Sequence, residues 1–353
     1  MTPAELSRTV LHAVCRAVED DVLPGPVPER VTVERPRPGG SGDYATNVAL
    51  RLAGPAGRPP REIAEILRAR ILSSGPSGGP AQDIGEGIGR SVGRSVGRSI
   101  VRIEITGPGF LNFTLGRDSR AGLVRTVLRA GPRYGHGDAL AGTAVALAPA
   151  EEPRAALWTR TVVALLRSQG AEAAVVPGAA EELRVVPAPA ADDLFARLGP
   201  DAARWGLLRP AAHDRPRLGA DLLVQRESNP LFRVRYAYAR TRALARNAVQ
   251  LDITPGYAQS ADPDEAPALL TALGDHPAVL EAAARLRAPD RLARHLEHTA
   301  EAFLRFQETS HPLPFGDEKP SAAHSSRLAL AEAAGAVLAG GLSLLGIDAP
   351  EHL

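Results

Sequence analysis

The pattern of apolar positions divides this chain into three blocks. In the first, Leu6, Val10, Val14 and Ala17 recur at helical spacing, which predicts a helix over 3–17. Thr2 stands where an N-cap belongs, Pro3 fits the first turn, and Glu5 follows. Val31-Thr32-Val33-Glu34 alternates as a strand does, ahead of a Pro/Gly-rich loop at 35–42. Two more helices are predicted over 43–52 and 60–72, the second with Ile63, Ile66, Leu67 and Ile71 on its apolar face. Val101-Arg102-Ile103-Glu104-Ile105 alternates apolar and charged, as a strand with one wet face does. Gly107-Pro108-Gly109 turns it into a second strand at 110–115. The block reads as a small α+β domain over 1–135, interrupted by an insertion at 73–100.

The insertion contains Gly89-Arg90-Ser91-Val92 and two further copies ending at Ile100. Glycine at every fourth position disfavours a helix. The run reads as a low-complexity insertion without stable structure. A cationic strap for phosphate is the other reading, since no acid separates Arg90, Arg94 and Arg98. The middle block, 136–198, predicts a strand at 143–147, a helix at 155–168 and a strand at 173–176. Glu151 and Glu152 precede Pro153. Acids there suit a helix start, where the dipole favours them, better than they suit catalysis.

The last block, 199–353, is helical. Helices are predicted at 201–208, 230–249, 266–273, 277–286, 290–307 and 326–345. Leu292, Leu296, Thr299, Phe303 and Phe306 keep a 3-4 spacing, as one face of a bundle should. The 230–249 helix carries the candidate chemistry. Asn229 is its N-cap and Pro230 its first residue. Leu231, Val234, Tyr238, Thr241 and Ala245 share one face. Arg235, Arg242 and Arg246 lie along one border of that stripe, and Arg233 and Arg240 along the other. Six arginines and one acid, Glu227, fall between Arg226 and Arg246. Either the arginines pair with acids on neighbouring helices, or they hold phosphates while Tyr236 and its neighbours stack on unpaired bases. The helix alone leaves both open.

Composition narrows the rest. The net charge of +1 announces no nucleic-acid partner, so any basic surface is local. Lys319 is the only lysine, and arginine is the better residue for bidentate phosphate contacts. A single cysteine, Cys15, can form neither an internal disulfide nor a cysteine-based zinc site, which predicts a reducing cytoplasm and no metal. The N-terminus carries acids, unlike a signal peptide. No run is read as a membrane span.

Several motifs carry a resemblance. Gly42-Asp43-Tyr44-Ala45-Thr46-Asn47, Pro60-Arg61-Glu62-Ile63-Ala64 and Gly107-Pro108-Gly109-Phe110-Leu111-Asn112-Phe113 resemble the added N-terminal domain of arginyl-tRNA synthetases. Gly199-Pro200-Asp201-Ala202-Ala203-Arg204-Trp205, the Asn229 helix, Leu344-Leu345-Gly346-Ile347 and Ala349-Pro350-Glu351 resemble the DALR-type anticodon-binding domain of the same family. Arg235 and Tyr238 replace the family's Gln and His in that helix, and Glu351-His352-Leu353 stands for its Glu-Arg-Met.

The resemblance implies a multi-domain protein: the α+β domain, a shrunken α/β Rossmann remnant and an all-α anticodon-binding bundle. It implies tRNA, or tRNA-like RNA, as partner. Phe110 and Asn112 would meet a D-loop base; Asn229, Arg233, Arg235, Tyr236, Arg240, Arg242 and Arg246 would line the anticodon side. The family's ATP site carries His-x-Gly-His and Lys-Met-Ser-Lys signatures. Here Arg154-Ala155-Ala156-Leu157-Trp158-Thr159-Arg160 occupies the place of the first, with no histidine between His136 and His213. The sole lysine excludes the second. The expectation is a non-charging, RNA-binding relative with no catalytic residue and no cofactor. A module partnering a true synthetase, and an arginine–tRNA ligase, are the alternatives.

Overall fold

The computed structural model describes residues 1–36, 40–73, 100–189, 193–258 and 266–353. The Gly-Arg-Ser-Val repeat lies outside these, apart from Ile100. The chain forms two compact units, Met1–Leu123 and Val124–Leu353.

In the first unit, α1 (Pro3–Glu19) starts on a complete capping box: the Thr2 hydroxyl accepts from the Glu5 backbone, and the Glu5 carboxylate accepts from the Thr2 backbone. A three-stranded antiparallel sheet runs in the order β1 (Tyr44–Thr46), β3 (Phe110–Leu115), β2 (Ile100–Thr106). Helices α2 (Val48–Ala56) and α3 (Pro60–Ser73) pack with it around Leu6, Ile63, Leu67, Leu111 and Phe113. The expected helix at 43–52 is therefore two elements. Tyr44 and Thr46 bury on alternate positions of β1, and Asp43 accepts from the Leu115 backbone, which ties that segment to the sheet before the helix can begin. The expected strand at 31–34 is a single bridge from Glu34 to Ala45. Its earlier residues are held by side chains instead, Ser7 to the Val31 carbonyl and Thr46 to the Thr32 carbonyl. A register shift between Ile100 and Arg102 leaves Val101 68 % exposed on what should be an apolar position. Gly109 sits at φ 144°, and a side chain there would press within 2.9 Å of the Pro60 backbone, so the hairpin turn rests on the start of α3.

Helix α4 (Arg117–Ala130), unforeseen in the sequence pattern, leads into the second unit. There β4 (Ala144–Leu147) and β5 (Glu172–Val175) pair in parallel through α5 (Pro153–Ser168), a single βαβ unit. Glu152 caps α5: its carboxylate accepts from the Ala155 and Ala188 backbones. The rest is helical: α6 (Leu194–Leu208), kinked at Gly199, then α7 (Pro230–Gln250), α8 (Pro267–Arg285), α9 (Pro289–Thr309) and α10 (Ala322–Leu344). The expected helix at 201–208 is the second arm of α6.

The helices expected at 266–273 and 277–286 are one. Pro277 cannot donate to the Leu273 carbonyl, and the Tyr134 hydroxyl donates to it instead, at 3.1 Å. The stripe on α9 is buried as expected, from Leu292 to Phe306. By length and hydropathy alone α10 is apolar enough to cross a membrane, as a buried core helix also can be. Two thirds of that apolar window, 67 %, is buried among the other helices. Gly335 makes this possible, since a side chain there would meet the Thr241 hydroxyl of α7 at 2.5 Å.

Candidate RNA-binding surface

Asn229 organises the start of α7. Its Oδ1 accepts from the Leu231 and Phe232 backbones, and its Nδ2 donates to the Leu222 and Val224 carbonyls at 2.8 and 3.0 Å. Every polar atom of this buried side chain is engaged by the protein, so its role here is to fix the helix entry. The buried stripe of α7 is Leu231, Val234, Ala237, Thr241, Leu244 and Ala248. It is turned from the expected one, and Tyr238 and Ala245 fall at its margin. Helices α9 and α10 pack against α7, and periodicity on α7 alone does not choose the face they cover.

The two arginine borders differ. On one, acids meet every guanidinium. Arg235 lies 3.5 Å from Asp201, Arg242 Nε donates to Glu351 at 3.1 Å, and Arg246 lies 3.8 Å from the same carboxylate. Burial holds the Glu332 carboxyl above its ordinary range, against the opposing pull of the nearby Arg242. On the other border, Arg240 Nε donates to the neutral Gln307 at 3.0 Å. Among the described residues, neither Arg233 nor Arg240 has an acidic partner, and the buried Nε of Arg233 has no hydrogen-bond acceptor. Beside Arg233, Phe232 and Tyr236 stack with ring centroids 5.8 Å apart, and Tyr236 is 42 % exposed. This border thus offers cations and aromatic faces that no acid among the described residues pairs with. Phe232 was missed in the sequence, although its place four residues before Tyr236 was legible.

In the first unit, Phe110 is 38 % exposed at the hairpin turn. Asn112 is buried, and its Nδ2 donates across the hairpin to the Thr106 hydroxyl at 2.7 Å. The two candidates therefore part: Phe110 presents a ring to solvent, whereas Asn112 braces the turn.

Arg154, in the first turn of α5, is 0 % exposed. The carbonyls of Val186, Leu207, Pro210, Ala211 and Asp214 accept from its guanidinium at 2.6–3.0 Å. Its guanidinium carbon lies 5.3 Å from the Trp158 ring centroid. No sequence signal reveals this, because the acceptors are backbone atoms up to 60 residues away. Among the described residues no group of three or more His, Cys, Asp or Glu is placed to hold a metal.

Residues 5–115 match the family described as the arginyl tRNA synthetase N terminal domain, and residues 234–353 match the DALR anticodon binding domain. The chain is an arginyl-tRNA synthetase-like protein. It is 27 % identical to the arginine–tRNA ligase of Frankia alni over an alignment of 577 positions that covers all of both chains, against 353 residues here. The arginyl-tRNA synthetase of Thermus thermophilus has the same fold at a TM-score of 0.67 and 13 % identity, covering 100 % of each chain. That of Plasmodium falciparum follows at 0.57 and 9 %, covering 99 % of each. The family binds tRNA through its anticodon-binding domain, and in this synthetase-like protein that domain contains all of α7 from Val234 onward, with α8 to α10.

Proposed function

We propose that this protein binds tRNA, or an RNA shaped like it, without charging it. The observation that carries RNA binding is the acid-free border of α7. Among the described residues Arg233 and Arg240 have no acidic partner to compete with phosphate, and the Phe232–Tyr236 stack offers a face to unpaired bases. Phe110 supplies a second exposed ring, in the N-terminal unit. The absence of charging is supported by the centre. Where the resemblance puts the His-x-Gly-His signature, Arg154 is saturated by five backbone carbonyls. A lysine loop that would steady the transition state has no lysine to use, since Lys319 lies in α10's approach.

The test is paired. Binding to tRNA should be tight at low salt and weaken steeply as salt rises, with a slope of roughly 0.7–0.9 per phosphate contact. Arginine-dependent ATP–pyrophosphate exchange should be absent. No tRNA affinity at low salt sinks the binding, and exchange activity sinks the non-charging half. Arginine–tRNA ligase activity is the second reading, favoured by the Frankia relative's name and by the end-to-end alignment with it.

A further inference from the structure

The segment after α10 lies along the acid-bearing border of α7. Gly346 turns it at φ 69°, Leu345 and Ile347 bury, and the Asp348 backbone donates to Asp201 at 3.2 Å. This anchor delivers Glu351 to two guanidinium groups one helical turn apart. The carboxylate accepts from Arg242 at 3.1 Å and lies 3.8 Å from Arg246, which also reaches the Glu351 carbonyl at 3.4 Å. All three side chains remain open to water, Glu351 at 52 %. Pairs so exposed exchange readily. A phosphate, with more acceptor oxygens and equal or greater charge, is the stronger partner for a guanidinium fork.

We propose that Glu351 is a built-in competitor for phosphate, masking Arg242 and Arg246 until RNA displaces it. The inference rests on the RNA-binding reading above and adds its regulation. RNA first engages the free border, Arg233 and Arg240. A neighbouring phosphate then takes over the masked pair as the Glu351 side chain rotates away. The backbone need not unfold, because Ile347 and Asp348 stay anchored. The mask lowers affinity for anions too small to span both borders and favours an RNA that reaches across the helix.

The test replaces Glu351 by glutamine in the whole protein, keeping its shape and removing its charge. The affinity of E351Q for tRNA at low salt should rise roughly three- to tenfold. The salt slope should change by less than about 1, since the same phosphates are held in both complexes and only the freed Glu351 charge differs. Adding R242A and R246A should abolish the gain. If wild-type protein binds tRNA and E351Q binds it with the same affinity, or more weakly, the competitor is overturned while RNA binding stands. If neither protein binds tRNA, both fall together.

Discussion

Arg154 and Arg240 carry the same guanidinium and meet opposite fates. Arg154 is buried, and five carbonyls take its donors. Arg240 lies on the surface with one neutral partner, Gln307. A planar cation with five donors can bind loops together or wait for a ligand, and the supply of fixed acceptors around it decides which. The place the resemblance gives to nucleotide chemistry has become a clamp. The helix it gives to RNA keeps donors unspent.

The sharpest way to break that comparison is Arg154→Ala. It would leave five carbonyls facing a cavity, so unfolding should become easier by about 3 kcal/mol or more, as when one partner of a buried charged network is removed. Arg154→Lys should recover little, because an ammonium cannot reach five acceptors. A loss below about 1 kcal/mol in denaturant unfolding would deny the clamp.

A second test uses buried bases that stay neutral. His276 and His295 stack at 5.2 Å inside the bundle, with His276 Nδ1 and His295 Nε2 unpartnered. Burial holds His276 well below its usual pKa and lowers His295 from 6.5 to about 4. Both folded values lie below the unfolded one, so the unfolded chain binds more protons in this window. Stability should be full above about pH 6.5 and fall as pH drops toward 4. His295 alone should cost about 2 kcal/mol by pH 5. His295→Phe should flatten that slope in urea titrations at pH 5 and 7; an unchanged slope would mean that these rings do not titrate on unfolding.

On α7, the double variant R233A/R240A should lower tRNA affinity roughly tenfold at unchanged melting temperature. R242A/R246A should lower it less, since Glu351 already occupies that pair. The reverse order in a filter-binding series would invert the two borders. The smallest contrast is in the hairpin. Asn112→Ala should cost about 1 kcal/mol of stability, whereas Phe110→Ala should leave stability within about 0.5 kcal/mol and weaken RNA binding alone. Equal effects on stability would place Phe110 in the structural class as well.

Much of the fold was legible because its cues are local. The Thr2–Glu5 capping box, the Asn229-Pro230 start and the α9 stripe each lie within a few residues of sequence. The misreadings have a common cause in distant partners. Residues 44–46 became a strand because β3, more than sixty residues on, pairs with them. Pro277 stayed inside a helix because Tyr134 took over the orphan carbonyl. The buried stripe of α7 turned because α9 and α10 chose its face. Asn112 and Asn229 were identified as polar residues at special places, but their hydrogen bonds, rather than their identity, show what they hold.

By itself the sequence determined most of the element types, the caps, the family motifs at both ends and the absence of the two catalytic signatures, since each is written in residue type and short spacing. Which arginine is spent and which is free was decided only in three dimensions. Arg154 finds its carbonyls 32 to 60 residues away, and Arg242 finds Glu351 at a separation of 109. Guanidinium groups are alike in sequence, and only the folded chain fixes the acceptors within 3 Å of each.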